Sequence, residues 1–422
     1  MIKRFLDRLS FPSFFLFLAT ITCVLGPNLL PINLGFNLYF FRWYMLIIFV
    51  FSLLKDQTLN KGIINTEIIS FFFKLFILFW LLYSLIFISF INNIDEGFKA
   101  TLVIFFAFIY VHVFQYLFKK VGKNWFNVFS WGIFFSYILS ICVAFWELLT
   151  FNHLQSHYTN ELPDYAEFSL STTGFAGNPN NFSVFIVLSS LCLYYLWYFS
   201  ISTIKILITV CLFVINPIII FLNESRLGLF IYLLLLFYFI TKFYKRNVQL
   251  KGVFFVALIL LLFNLELVII FYEELDFASH FIQVNSLDDD SNAIRFSHFY
   301  NFFYYTLDTY GFGLGPGQYE AIANNHYYPI SIIDPHNLFV EIGLDYGIYI
   351  LLIFVILLFN KLIFYLHYNQ IFMIFCLLIL LLSPVNSSYL NDNITWLFLV
   401  VVFNGFNKNY FSGINRKIYA TK

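Results

Sequence analysis

The chain has 422 residues, of which 61% are hydrophobic, 23% aromatic and 11% charged, and its formal net charge is +0. Such a profile, with 61 Phe, excludes an ordinary soluble domain, and the absence of a basic excess argues against a nucleic-acid partner. It is the composition of an integral membrane protein, and long apolar runs such as 71–90 lack the alternation of a transmembrane barrel.

Crossing about 30 Å of hydrocarbon as a helix takes roughly 20 apolar residues. Runs of that kind lie near 10–26, 38–54, 68–91, 99–118, 125–151, 180–199, 204–222, 227–241, 252–271, 336–359, 365–383 and 394–408. They predict an all-α, polytopic transmembrane bundle of about twelve spans forming one integral membrane domain over 1–422. With both termini cytoplasmic, every Lys and Arg except Arg42, Lys74, Lys99, Arg226 and Arg295 falls on the cytoplasmic side, as the positive-inside rule requires. Lys74 reaches the inner face by snorkelling, and the other four belong to the outer face or its margin.

The basic start, Lys3, Arg4 and Arg8, precedes an apolar run, but Ile21-Thr22-Cys23 is a poor small-residue cleavage site, so the run reads as an uncleaved first helix. The five cysteines lie inside expected spans without metal-ligand spacing, which argues against disulfides and zinc. The substantial extramembrane segments both face outward. One covers 152–177. The other covers 272–335 and contains Asp288-Asp289-Asp290, an amphipathic stretch from Ala293 to Tyr310 and the glycine-rich run from Gly311 to Gly317. Long loops of this kind are usually functional, so chemistry is expected outside, where a donor must arrive already activated, typically on a lipid diphosphate.

That logic selects cations. Arg226 lies in the short turn Asn223-Glu224-Ser225-Arg226-Leu227-Gly228 between two spans, where its planar fork suits phosphate oxygens; an ion pair with Glu224 or an interface anchor is the alternative. Arg295 stands near the start of the amphipathic stretch, beside Phe296, Phe299, Phe302 and Phe303, and reads either as a headgroup ligand or as a lipid anchor. His336, opening a span after Pro335, reads as a general base or as a polar cap. Asp334, His336 and Asp288 to Asp290 also offer scattered ligands for a divalent metal, which is weak evidence for one. Gly311 to Gly317 does not fit the dinucleotide fingerprint and reads as a tight turn. The segment Gly177-Asn178-Pro179-Asn180-Asn181 reads as a helix entry capped by Asn, or as carboxamides that bind sugar hydroxyls.

Taken in order, these segments resemble the O-antigen ligase and O-antigen polymerase superfamily of polytopic membrane glycosyltransferases. The resemblance runs over about 173–347. It rests on Gly177 to Asn180, the Ser-Arg-x-Gly turn at Ser225 to Gly228, Arg295 in the large loop, the glycine turn near Gly313, and His336-Asn337 followed by Glu341 and Gly343.

The resemblance implies a GT-C-like fold and transfer of a glycan from undecaprenyl diphosphate to an acceptor hydroxyl at the outer face of the bacterial inner membrane. Arg226 and Arg295 would hold the diphosphate and His336 would orient or deprotonate the acceptor, inverting the anomeric centre. Asn178, Asn180, Ser225, Asn337 and Glu341, with Arg42 at the outer margin, are the expected substrate-binding residues. No cofactor and no metal is expected. The expected partners are the lipid-linked glycan, the bilayer, a chain-length regulator and a flippase.

The product class is a surface polysaccharide, O-antigen or capsule. A repeat-unit polymerase is favoured, with a ligase acting on lipid A core as the alternative. The paired Arg-x10-Gly loops of some polymerases are absent, because Phe237 and Thr306 stand where glycines would. A flippase of lipid-linked sugars is the alternative of another class, though its charges should sit near the midplane. A noncatalytic scaffold is a third.

Overall fold

The computed structural model describes residues 10–29, 32–33, 37–55, 68–154, 171–200, 202–244, 291–322, 326–328, 335, 337–385 and 390–404. Apart from a two-residue antiparallel pair, Ile32–Asn33 with Asn37–Leu38, the regular structure among them is helical. The helices are α1 (Phe11–Leu25), α2 (Phe40–Lys55), α3 (Ile68–Phe87), α4 (Ile94–Val121), α5 (Trp125–Thr150) and α6 (Pro179–Phe199). They continue with α7 (Ser202–Val210), α8 (Asn216–Leu222), α9 (Arg226–Tyr244), α10 (Ser291–Asp308) and the single turn α11 (Gln318–Ala321). The last three are α12 (Leu338–Tyr368), α13 (Gln370–Leu382) and α14 (Asn393–Asn404). A π-helical turn, Cys211–Ile215, joins α7 to α8.

Each expected span overlaps helix among the described residues except the ninth, near 252–271, which lies outside them, as do 336 of the tenth and 405–408 of the twelfth. Five helical stretches are long and apolar enough to cross a membrane: Ser70–Phe90, Ile94–Thr150, Pro179–Phe199, Thr203–Leu222 and Leu338–Tyr368. The stretch Ile94–Thr150 is α4 and α5 joined by the turn Gly122–Asn124. Helices α1, α2, α13 and α14 are apolar but shorter.

Contacts between helix ends show that the bundle has two ends and that the chain alternates between them. At one end Asn28 bonds Phe175, Asn93 bonds Gln318, and Leu338 bonds Ser383. At the other Gln115 bonds Ser70 and Asn404, and Lys242 bonds Gln370. The first is called the site end below.

Burial sorts the helices by role. In α14 every residue from Asn393 to Phe403 is buried, because α14 packs against α1, α3, α4, α12 and α13. Along α3, by contrast, Phe71, Leu75, Phe79, Leu82 and Ile86 are exposed at helical spacing while Phe73, Ile77 and Trp80 are buried. An apolar stripe exposed on one face and an apolar stripe buried on the other is how a helix meets lipid and bundle at once.

Candidate active site

Three groups of residues build the site end, and the first begins with a carboxylate. Glu147, in the last turn of α5, is 2% exposed. Its Oε2 accepts the Thr173 and Gly174 N–H groups at 2.8 and 3.0 Å, and Oε1 accepts the Thr173 hydroxyl at 2.6 Å. His153 Nδ1 lies 3.6 Å from Oε1. One residue earlier, Thr172 donates its N–H and hydroxyl to Asn223 Oδ1 at 2.7 and 2.9 Å. Asn223 Nδ2 in turn donates to the Pro179 carbonyl at 3.1 Å and to Ser183 Oγ at 3.3 Å.

Asn223 therefore locks together two segments that are distant in sequence, Gly177–Asn181 and Asn223–Gly228. Within the second, Glu224 adopts a positive φ of 54° and its carbonyl accepts the Arg226 N–H at 2.9 Å, so the chain reverses sharply and α9 starts at Arg226. Ser225 is buried, and a Cβ on Gly228 would stand 2.6 Å from its Oγ, so only glycine fits at 228 without displacing it. Arg226 is exposed. Asn178 caps α6, its Oδ1 accepting the N–H groups of Asn180 and Asn181, and Pro179 fills the first helical position.

The second group is built on a break in α12. Gly347 has φ 84° inside the helix, so the Leu344 and Asp345 carbonyls turn away from helical partners and accept the N–H groups of Leu314 and Gly315 at 2.8 and 2.9 Å. The Ile348 N–H donates to the Gly311 carbonyl at 2.9 Å. The glycine-rich run 311–317 is thus docked backbone-to-backbone into α12, and its glycines are required by that approach: a Cβ on Gly313 would meet Gly347 N at 2.5 Å. Buried Asp345 fixes the far side of the turn, accepting from Gly317 N at 3.2 Å and Tyr319 N at 3.0 Å. Gln318 exchanges two hydrogen bonds with the backbone of Asn93, the residue that caps α4.

Helix α10, which carries Arg295, packs on α12, with Phe302 filling the space over Gly343. Its inward face is polar and buried. Asn301 donates to the Tyr319 oxygen at 3.3 Å, and the same hydroxyl bonds His298 Nδ1 at 2.7 Å. Tyr327 N–H donates to the Tyr305 oxygen at 3.3 Å, and the same hydroxyl bonds His326 Nδ1 at 3.2 Å. Burial lowers the His326 pKa to about 4, partly offset by its hydrogen bond with the Tyr319 backbone, so the ring is neutral at physiological pH. Burial raises the Tyr319 phenol above its ordinary value.

The third group sits between α1, α2, α4 and α14. The Arg42 guanidinium lies over the rings of Tyr39 and Phe106, at 4.8 and 4.9 Å. Tyr39 and Tyr110 both bond the Asn393 carboxamide, Tyr110 at 3.3 Å. Glu341, buried on the first turn of α12, accepts the Leu390 N–H at 3.3 Å, just ahead of α14. Asn337 caps α12 through the Phe339 and Val340 N–H groups.

Of the residues singled out in the sequence, Asn178, Asn180, Ser225 and Arg226 share the first group. Asn337 and Glu341, at the start of α12, and Arg42 are in the third. Arg295 is on the backbone of α10, its side chain outside the described residues, as is His336, between the described Pro335 and Asn337. Glu147, Asn223 as a carboxamide, and Asp345 escaped the sequence reading. Glu147 carried a usable signal, since an ionisable residue inside an apolar run marks function by default.

Fold and site end define a polytopic α-helical membrane protein with groups of hydrogen-bonded polar residues at the site end of the bundle. Residues 209–355 match the family model described as O-Antigen ligase, the superfamily that the motifs of 173–347 resemble. It is also similar to the teichuronic acid biosynthesis protein TuaE of Bacillus subtilis (strain 168), at 23% identity over 363 residues, covering 80% of this chain and 71% of that protein.

Proposed function

We propose that this protein is a membrane glycosyltransferase of surface-polysaccharide biosynthesis, a repeat-unit polymerase that draws its glycan from a polyprenyl diphosphate at the extracytoplasmic face of the bacterial inner membrane. In this reading twelve spans place both termini in the cytoplasm and the site end outside. The observation that carries it is the joining of Gly177–Asn181 to Asn223–Gly228 through Asn223, which sets exposed Arg226 beside a capped helix start at one end of the bundle. The O-Antigen ligase match over 209–355 spans Arg226, Arg295 and His336.

Arg226 and Arg295 hold the donor diphosphate and stabilise charge developing on the leaving group, as preorganised cations do. His336 takes the proton of the acceptor hydroxyl as it attacks the anomeric carbon, and in-line attack inverts that centre. Asn178 and Asn337 spend their side-chain oxygens on helix caps, so their amide N–H groups are the ones that face sugar hydroxyls. Undecaprenyl diphosphate is the proposed carrier, and a chain-length regulator and a flippase are the proposed protein partners. No metal or cofactor takes part.

Transfer of a finished chain to lipid A core is the second reading, and the match to the O-Antigen ligase family model favours it. The Bacillus subtilis relative's part in teichuronic acid biosynthesis supports surface-polysaccharide work under either reading. The test is the glycan profile of a deletion strain complemented with wild type, Arg226→Ala, Arg295→Ala or His336→Ala at matched membrane abundance. Single repeat units on the lipid carrier in the variants support the polymerase, and long chains stranded there support the ligase. An unchanged profile in all three rejects the site.

A further inference from the structure

We propose that Glu147 is the positioning residue of the transfer site, acting on Arg226 through the Thr172–Asn223 contact. The inference rests on the proposed role of Arg226 and adds a residue outside 209–355, the segment that the family match covers.

A carboxylate buried at the end of a membrane helix costs several kcal/mol unless its oxygens are well satisfied. Ending α5 does not demand one, because Phe151 already closes that helix in the left-handed conformation, its N–H on the Glu147 carbonyl at 2.8 Å. What the carboxylate does is hold the returning chain. Three donors from Thr173 and Gly174 converge on its two oxygens at 2.6 to 3.0 Å, and His153 Nδ1 stands 3.6 Å away with its side chain 9% exposed.

Fixing Thr173 fixes Thr172, both of whose donors point at Asn223 Oδ1. Asn223 is the last residue before the strained Glu224, and the carbonyl of Glu224 accepts the Arg226 N–H. The direction in which Arg226 leaves the bundle is therefore set by a relay of short contacts that starts at Glu147. The same asparagine holds Pro179 and Ser183, so the entry of α6 moves with it. Without the carboxylate, two buried N–H groups lose their acceptor and the segment 172–174 is free to shift. A shift of about 1 Å at a cation that must meet a diphosphate lowers turnover by up to about 10²-fold.

The test is a double-mutant cycle on the full protein in native membranes, read as the rate of glycan transfer from a lipid-diphosphate donor at varied donor concentration and matched abundance. Glu147→Ala and Asn223→Ala each lower kcat by at least about ten-fold with the folded fraction held equal, and the double variant falls within about three-fold of the worse single one, because both break one relay. Glu147→Gln, whose carbonyl still accepts both N–H groups, recovers most of the loss. If Glu147→Ala does not accumulate, Thr173→Val, which removes the hydroxyl donated to Oε1, takes its place in the cycle. Losses that multiply in the double variant, or wild-type kcat in Glu147→Ala, overturn the relay. Wild-type activity in Arg226→Ala instead overturns the proposed function of that arginine, which separates the two failures.

Discussion

Replacing Gly347 by Ala tests whether the glycine-rich run is a docking element of α12. Gly347 has φ 84°, where an L side chain costs roughly 1–2 kcal/mol. The added Cβ would stand 2.3 Å from the Gly311 carbonyl oxygen and 2.5 Å from the Phe312 carbonyl carbon, both backbone atoms, so the run must withdraw. Withdrawal breaks the three bonds that dock it, from Leu314 N, Gly315 N and Ile348 N, at about 1 kcal/mol each. The expected loss is about 4–5 kcal/mol. Gly122→Ala is the control, since Gly122 also has positive φ, 68°, but no atom lies within 4 Å of its Cβ position, leaving only the strain of roughly 1–2 kcal/mol. Denaturation of the purified protein in detergent, followed by circular dichroism, measures both. If Gly347→Ala is no more destabilising than Gly122→Ala, the docking account is refuted.

Three further outcomes are expected. Asn178→Ala destabilises by about 1 kcal/mol through loss of the α6 cap, and Asn178→Asp restores stability because its carboxylate caps equally well; equal denaturation of Asn178→Ala and wild type would contradict the cap. His326 has a folded pKa of about 4 against an ordinary value of 6.5, so between these values the unfolded chain binds more protons and stability falls as pH is lowered through that window. His326→Phe flattens this contribution, which thermal scans at pH 7 and pH 5 would detect as a smaller difference than in wild type. Asp345→Ala strips the acceptor from Gly317 and Tyr319 and loosens the same turn that Gly347 docks, so its effect and that of Gly347→Ala are less than additive.

Most of the helical layout was legible because hydrocarbon leaves a spanning segment little choice: backbone groups must be satisfied internally, so an apolar run such as Phe71–Phe90 becomes helix. The start of α6 was legible too, since Asn178-Pro179 is a local capping signal, whereas the span read as opening at His336 starts at Leu338 with Asn337 as its cap. What local reading missed lies in contacts between distant residues. Nothing around Gly347 announces that the Gly311 carbonyl will approach it, and nothing around Asn223 names Thr172 as its partner. Lys74 shows the same limit, because no local signal names its partner: Nζ bonds His112 Nδ1, while His112 Nε2 meets Ser52 at 3.0 Å. Charge bias reports which end a cation favours, and only the packed bundle reports which neighbour it finds.

The central claim is that the site end transfers glycan from a lipid diphosphate and that Arg226 carries the donor. The most direct measurement reconstitutes purified wild type and Arg226→Ala in liposomes with a polyprenyl-diphosphate-linked repeat unit as the sole substrate, then resolves the products by length. Longer chains from wild type, formed without nucleotide sugar or added metal, and none from Arg226→Ala are the predicted result. Equal product from both proteins would contradict the role of Arg226, and no product from well-folded wild type supplied with its own repeat unit would contradict the polymerase reading.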